Sequence, residues 1–290
     1  MNHTTILLVG HGSREDTGNQ EIRVFVDQWR ARQPAWRIEV CFIEFAAPSL
    51  HDGLLAAARS SRRVLVLPLI LNAAGHAKME IPEAIEHARE HAPGVEFLYG
   101  PHLSACDPIL AILKRRLRQA MATLDMPDPT TTGVVLLGRG SSDRGANGDM
   151  AKMARWLQEE SDHELVDLAF TGITFPRLER VVQRQVLIGM KQVVVLPYYL
   201  FTGTLMQRIA RQVAHQFHSV GQRLRALVGA HGWALACVIR AGGHLAQQQA
   251  RLAGGGFARS NVARHAAVHH REGQAMLARQ HADGSATGQK

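Results

Sequence analysis

The chain has 290 residues, of which 46% are hydrophobic and 20% charged, so it can bury one large core or two domains of ordinary size. Its net charge of +8 comes from the residues after 205, which include 11 Lys and Arg but only 2 Asp and Glu. Because the rest of the chain is nearly neutral, this distribution gives no reason to expect nucleic-acid binding. No apolar run is long enough to span a membrane and no signal peptide is visible, so we expect a cytoplasmic protein without a membrane partner.

Short apolar runs alternate with amphipathic segments through the first half of the chain. Four runs rich in Val, Ile and Leu predict strands at Thr5–Gly10, Ile38–Ile43, Val64–Leu69 and Val95–Tyr99. Amphipathic spacing, with proline at the start of three segments, predicts helices at Asn19–Arg32, Pro48–Arg59, Pro82–His91 and Pro108–Leu124. This alternation predicts an α/β unit with a small parallel sheet and helices on both faces.

The pattern then restarts after the linker Met126–Gly133. Segments of the two halves align at offsets of 128 or 129 residues: Val134–Ser142 with Ile6–Arg14, Pro176 with Pro48, and Gln192–Pro197 with Arg63–Pro68. Three blocks at nearly one offset indicate an internal duplication. The predicted fold class is therefore α/β, with two tandem units of flavodoxin-like or Rossmann-like type.

We expect a first unit at residues 1–126, a second at 132–230 and a tail at 231–290. The second copy fades toward its end, because Met206 to Arg271 contains no Asp or Glu, and Ala234–Ile239 is its best candidate for a last strand. The basic tail, rich in Gly, Ala and His, has the composition of a poorly ordered segment.

Three side chains capable of metal binding follow three predicted strands of the first unit. His11 follows the first strand, Glu44 the second and His76 the third. Ligands of open parallel sheets bind beyond the carboxyl ends of the strands, so we expect these three residues to converge on one cleft. Two imidazoles and a carboxylate suit a divalent Co, Fe, Ni or Zn ion, which makes His11 and His76 candidate metal ligands and all three candidate catalytic residues.

The duplication provides an internal comparison for this candidate site. The positions of His11, Glu44 and His76 are occupied in the second copy by Arg139, Gly172 and Leu205. A purely structural role would favour keeping some of them, so their joint absence favours one functional site in the first unit.

Other features of the sequence are less specific. His87 and His91 have the spacing of a chelating pair, but near the end of a helix they are more often solvated or placed at the helix dipole. His102 and Glu80 could each enter the site, and both stay open. Gly10-x-Gly12 lacks the remaining features of a dinucleotide or P-loop motif, so no nucleotide is expected.

Three ordered motifs resemble those of the class II chelatases: Gly10–Arg14, Ile43–Ser49 and the loop from Pro68 to His76. The duplicated arrangement is similar to the long, CbiX-type sirohydrochlorin cobaltochelatases over about residues 4–215. The resemblance implies insertion of a divalent metal, Co2+ first and Fe2+ or Ni2+ as alternatives, into a tetrapyrrole without ATP. It implies that His11 and His76 bind the metal and accept pyrrole protons, with Glu44 in support.

Sirohydrochlorin carries several carboxylates, so cations and hydrogen-bond donors are expected around the cleft. Candidates for substrate binding are Ser13, Arg14, Lys78 and Arg139. A siroheme-forming ferrochelatase and a non-catalytic metal carrier are the alternative functions. The tail lacks the cysteine pair that some long members use for an iron–sulfur cluster, so no cluster is expected, and the protein is expected to be a monomer or homodimer.

Overall fold

The computed structural model describes residues 4–203, Ile209, and the backbone of two further strands at Leu224–Val228 and Leu235–Arg240. These residues form two β-sheets flanked by α-helices, in agreement with the predicted α/β fold. None of the described helices is both long enough and apolar enough to cross a membrane. The predicted tail, apart from one strand, lies outside the described residues.

The strands are β1 Thr4–Gly10, β2 Arg37–Phe42, β3 Arg63–Pro68, β4 Glu96–Tyr99, β5 Thr132–Gly138, β6 Val166–Phe170, β7 Gln192–Pro197, β8 Leu224–Val228 and β9 Leu235–Arg240. The α-helices are α1 Asp16–Arg32, α2 Leu50–Ser60, α3 Ile81–His91, α4 Asp107–Met121, α5 Arg144–Glu159 and α6 Leu178–Leu187. A π-helical turn, His76–Glu80, leads directly into α3.

The first sheet is parallel throughout, with strand order β2-β1-β3-β4. All four strands predicted for the first unit are present within a few residues of their predicted bounds. The second helix begins later than predicted, at Leu50, because the Ser49 side chain caps it by accepting the Asp52 N–H at 3.1 Å. Pro48 therefore lies just before the helix instead of in its first turn.

Helices cover both faces of the first sheet, because successive residues of a strand point to opposite sides. On β1, Leu8 packs with Ile22 and Val26 of α1. Its neighbour Leu7 packs on the other face with Leu54 of α2 and with residues of α3. All five of these named side chains are at most 4% exposed, so the central strand is buried between the helices on both faces.

The second sheet has the order β6-β5-β7-β9-β8. Its strands β5, β6 and β7 are parallel, as predicted, but β9 is antiparallel to β7 and β8 is antiparallel to β9. The predicted parallel sheet is therefore present in β5, β6 and β7, and two antiparallel strands that were not predicted extend it at one edge. The segment between β8 and β9 is too short for the crossover that parallel neighbours require. The strand β9 also lies beyond residue 230, in the region expected to form the tail.

Helix α4 belongs to the first sequence repeat but packs in the core of the second sheet. Its buried residues Ile109, Leu113 and Leu117 join Val134 and Leu136 of β5 in one apolar cluster. Conversely, Phe201 from the segment after β7 packs beside α1 of the first half. The centroids of the Phe201 and Phe25 rings are 6.3 Å apart. The two halves thus share core packing across the predicted boundary at residues 126–132.

A close backbone contact also joins the two halves at α1. The Thr202 N–H and hydroxyl donate to the Glu21 carboxylate at 2.7 and 2.5 Å. A Cβ atom at Gly18 would lie only 2.2 Å from the Thr202 carbonyl oxygen. Glycine is required at this helical position because the second half approaches it so closely.

We predict that Gly18→Ala destabilises the protein by about 1–3 kcal/mol, the usual cost of forcing a group into a packed contact. The matched control is Gly148→Ala in α5, where an added Cβ meets no atom within 4 Å. Alanine favours a helix by about 0.5–1 kcal/mol over glycine, so the control substitution should stabilise the protein. Urea denaturation gives both free energies of unfolding, and a stabilising Gly18→Ala would contradict the contact.

Candidate functional site

The turn after β1 holds His11 beside Glu44. The hydrogen bonds between β1 and β2 continue beyond the strands, as the Ile43 N–H donates to the Gly10 carbonyl and the Glu44 N–H to the His11 carbonyl, both at 3.0 Å. Gly12 has a φ of +86°, and a Cβ there would lie 1.7 Å from the Glu44 carbonyl oxygen. Glycine alone fits this turn, which brings His11 and Glu44 together at the carboxyl edge of the sheet.

His76 begins the π-helical turn that follows the β3 loop. The Ile81 N–H donates to the His76 carbonyl, five residues back, which is the hydrogen bond that defines a π-turn. The Tyr99 hydroxyl of β4 donates to the Ala77 carbonyl at 2.8 Å and ties this turn to the sheet. Burial raises the pKa of Tyr99, so this donor stays protonated at neutral pH. Sequence reasoning missed Tyr99 because the contact links two elements.

The two predicted histidines meet in the structure. The rings of His11 and His76 lie edge to face, with centroids 4.7 Å apart. The His11 Nδ1 is 3.0 Å from the Gly12 carbonyl oxygen, which can only accept a hydrogen bond. The neutral imidazole therefore carries its proton on Nδ1 and has a lone pair on Nε2 for a metal or a proton.

His76 lies between two carboxylates. Its Nδ1 is 2.8 Å from Glu80 Oε2, and its Nε2 is 3.9 Å from Glu44 Oε1. A neutral His76 donates its Nδ1 proton to Glu80, which is the carboxylate–histidine pairing common behind metal ligands. The distance to Glu44 is too long for a hydrogen bond, but two ligands of one ion, each bonded at about 2.0–2.2 Å, are separated by about 3–4 Å.

The His76 Nε2 and the Glu44 carboxylate, 3.9 Å apart, form a pair of donors for a divalent cation, and the His11 ring lies beside them. His76 and Glu44 are partly exposed, with side chains 27% and 38% accessible, so an ion can reach them from solvent. The lone pairs of the ring nitrogens can also accept protons. Glu80, whose role the sequence did not decide, joins the site through its i,i+4 spacing from His76.

The loop between β3 and His76 contains one unpaired polar group. The buried Asn72 side-chain oxygen has no hydrogen-bond partner among the described residues.

Ser13 and Arg14 lie on the turn that carries His11. The Ser13 N–H donates to the Asn19 side chain at 2.9 Å, and the Ser13 hydroxyl accepts the Glu15 N–H at 3.2 Å, so Ser13 shapes the turn. The Arg14 guanidinium lies over the ring of Phe45, 4.8 Å from its centroid. Arg14 therefore lies beside the loop that follows Glu44.

Lys78 lies in the π-turn but bonds to the other half of the chain. Its Nζ donates to Asp143, the residue that caps α5 by accepting the Gly145 and Ala146 N–H groups. The hydrogen bond from Lys78, followed by those from the backbone, lowers the pKa of Asp143. Lys78 is thus not a free cation in this structure, a point that sequence spacing did not predict.

His102 takes no part in the His11–His76 pair. Its Nε2 is 3.8 Å from Asp149 Oδ2 of α5, and the nearby Ser104 hydroxyl donates to the same carboxylate at 3.3 Å. Like the Lys78–Asp143 bond, these contacts run from loops at the carboxyl edge of the first sheet to the start of α5. The strand-end loops of the two halves therefore meet around the candidate site.

The second half repeats the backbone of the site without its ligands. The Gly172 N–H donates to the Arg139 carbonyl at 3.0 Å, and Gly140 has a φ of +85°, matching Glu44, His11 and Gly12. The turn therefore survives, whereas the exposed Arg139 replaces the imidazole and glycine replaces the carboxylate. Leu205, the counterpart of His76, lies outside the described residues.

Exposed aromatic side chains flank the strand-end loops of both sheets. Phe45 follows β2 and is 55% exposed, and Phe175 follows β6 and is 73% exposed. Each ring has a guanidinium over it, Arg14 at 4.8 Å and Arg177 at 4.6 Å from the ring centroid. An exposed ring paired with a cation offers an apolar face and a positive charge together. The sequence signal that could have revealed them is an aromatic residue just after a buried strand.

Comparisons with known proteins identify a family and several relatives of this chain. The sequence model of the CbiX family matches residues 5–120 and 133–240, the two repeats. The chain is 37% identical over 233 residues to a sirohydrochlorin cobaltochelatase of Priestia megaterium, covering 78% of this chain and 75% of that protein. It is 33% identical over 209 residues to a sirohydrochlorin ferrochelatase of the same organism, covering 72% and 77%.

Solved structures of sirohydrochlorin chelatases have a similar fold. SirB from Bacillus subtilis with Fe3+ superposes with a TM-score of 0.64 at 30% identity, covering 73% of this chain and 82% of that one. The sirohydrochlorin chelatase SirB from Bacillus subtilis subspecies spizizenii in complex with cobalt gives a TM-score of 0.61 at 30% identity, covering 74% and 83%. The predicted arrangement of two tandem α/β units is therefore confirmed.

The Glu80–His76 contact yields a direct prediction. Glu80→Gln replaces the charged acceptor of the His76 Nδ1 proton, and loss of such a partner typically weakens metal binding about 10- to 100-fold. Isothermal titration calorimetry with Co2+ measures the affinity. Glu83→Gln, an exposed change on the same helical run, is the control and should bind as the unmodified chain does. Equal affinity in the Glu80 and Glu83 variants would contradict the role given to Glu80.

Proposed function

Because the chain belongs to the CbiX family, we propose that it is a sirohydrochlorin cobaltochelatase, an enzyme that inserts Co2+ into the tetrapyrrole without ATP in the formation of cobalamin. The observation that carries the proposal is the facing pair His11 and His76, each with Nδ1 bonded to an acceptor and Nε2 available. In this proposal both histidines bind the metal substrate and Glu44 assists them.

The chemistry of insertion explains why imidazoles suit the site. A tetrapyrrole loses two N–H protons as a divalent ion enters, so the site must hold a cation and accept protons. The Nε2 atoms of His11 and His76 can do both. Glu80 holds the proton on Nδ1 of His76 and so directs Nε2 toward the ion, and Glu44 provides a negative charge 3.9 Å from that nitrogen.

The surrounding loops supply binding groups for a flat polycarboxylate. We assign the exposed face of Phe45 to contact with the macrocycle, and Arg14 and Arg139 to its carboxylates. Ser13 supports the turn that presents them. The Lys78 ammonium has further N–H donors beside its bond to Asp143 and is half exposed, so in this proposal it can also bond a carboxylate of the substrate.

Cobalt is the proposed metal because a relative named for cobalt insertion shares 37% identity over 78% of the chain. Ferrochelatase is the second candidate, since relatives with that name share 33% and 30% identity and SirB has been solved with both Fe3+ and cobalt. The cytoplasmic location, the monomeric or dimeric state, and the absence of nucleotide, nucleic acid, membrane and iron–sulfur partners stay predictions.

We expect His11→Ala and His76→Ala each to lower the rate of Co2+ insertion by about 100-fold or more, the usual contribution of a positioned acid–base group. The visible absorbance of sirohydrochlorin follows the reaction. Circular dichroism should show an unchanged fold, because both side chains lie at the sheet edge and outside the apolar clusters. Near-normal rates in both variants would contradict the assignment.

Rates with Co2+ and Fe2+, measured under anaerobic conditions at equal free metal, distinguish the candidate functions. A cobaltochelatase should insert Co2+ faster, and the opposite ratio would identify a ferrochelatase. A carrier that binds metal through the same histidines would not accelerate insertion. The spectrum of sirohydrochlorin would then change no faster than it does without protein, with either ion.

A further inference from the structure

A second group of histidines lies on the exposed surface of α2 and α3. His51 is the second residue of α2, and His87 and His91 are one turn apart at the end of α3. The ring centroids of His51 and His87 are 4.9 Å apart, and those of His87 and His91 are 4.4 Å apart. Three imidazoles from two helices therefore converge, although the sequence indicated only the i,i+4 pair.

Glu90 adds a carboxylate to this group. Donor atoms of His87, Glu90 and His91 all lie within 4.8 Å of one another, and no other trio of such residues in the described part of the chain comes so close. Ligands that share an ion bonded at about 2.1 Å are about 3–4 Å apart. All the side chains are exposed, so small rotamer changes suffice to close the remaining gap.

The hydrogen bonds and charges around the group favour a cation. The His91 Nδ1 donates to the His87 carbonyl at 2.8 Å, so the neutral ring offers Nε2 to solvent. Arg89, the nearby cation, is neutralised by Glu86 and donates to the Phe97 carbonyl at 2.8 Å. The carboxyl end of α3 also has the negative pole of the helix dipole.

This group is separate from the candidate active site. His87 lies eleven residues after His76 on one continuous helical run. At about 1.5 Å per residue, the two are about 16 Å apart along the axis, too far to share an ion. A role at the helix dipole would require one histidine and does not account for the approach of His51 from another helix.

We propose that His51, His87 and His91, with Glu90, form a surface site for a first-row divalent cation such as Co2+, Ni2+ or Zn2+. Neutral imidazole with one carboxylate is a suitable donor set for these ions. The site is independent of metal insertion and does not depend on the function proposed above.

The experiment uses the full chain without an affinity tag, in a His11→Ala/His76→Ala background that removes the candidate active site. Calorimetry with Co2+ counts the equivalents bound and measures their affinities. Adding His87→Ala/His91→Ala should remove one equivalent per chain. Histidines elsewhere contribute equally to both titrations, so the difference between them reports this site alone.

His51→Ala, on the other helix, should weaken the same equivalent at least 10-fold, which separates ligation from a local effect on α3. Glu83→Gln is the control on α3, and circular dichroism checks the fold of each variant. Identical stoichiometry and affinity with and without the three histidines would overturn the proposal. Because the background lacks His11 and His76, the result does not depend on whether the chain inserts metal into a tetrapyrrole.

Discussion

The candidate site depends on the way the hydrogen bonds between β1 and β2 extend past the ends of the strands. The bond from the Glu44 N–H to the His11 carbonyl places these residues side by side. The turn can close only because Gly12 has no Cβ, since one would overlap the Glu44 carbonyl. The backbone thus places the two residues beside each other at the sheet edge, whatever contacts their side chains make.

The second half shows what this backbone does without the ligands. Arg139 and Gly172 form the same turn with the same hydrogen bond, and Gly140 has the same left-handed conformation as Gly12. The duplication therefore preserves a scaffold that presents one side chain at the sheet edge. An arginine there suits a carboxylate ligand, whereas a histidine suits a cation, so the two copies of the turn present different chemistry.

Much of this could be predicted from the sequence because the signals are local. Continuous apolar runs identified the parallel strands, and the rule that strand ends share one edge brought His11 and His76 together. The contacts that were missed join distant elements: α4 packs on the second sheet, Lys78 bonds to Asp143, and Tyr99 anchors the π-turn. An amphipathic pattern shows that a helix buries one face, but it does not specify which sheet covers that face.

The antiparallel pair β8–β9 was missed for a different reason. A strand signal such as Ala234–Ile239 carries no direction, and only the short connection before it requires reversal. Glu80 is an intermediate case. Its i,i+4 spacing from His76 was visible, yet that spacing describes an ordinary α-helix, and the π-turn that begins at His76 was not predicted.

The two imidazoles are alike in position but unequal in their partners. The His76 Nδ1 faces the Glu80 carboxylate, whereas the His11 Nδ1 faces a neutral carbonyl. A carboxylate partner makes an imidazole a better electron donor to a metal, so in the proposed function His76 would be the firmer of the two ligands. A chelatase must give its ion away. With one firm and one weaker ligand, the bond to His11 would be the one replaced by a pyrrole nitrogen, and His76 would keep the ion from becoming free during the transfer.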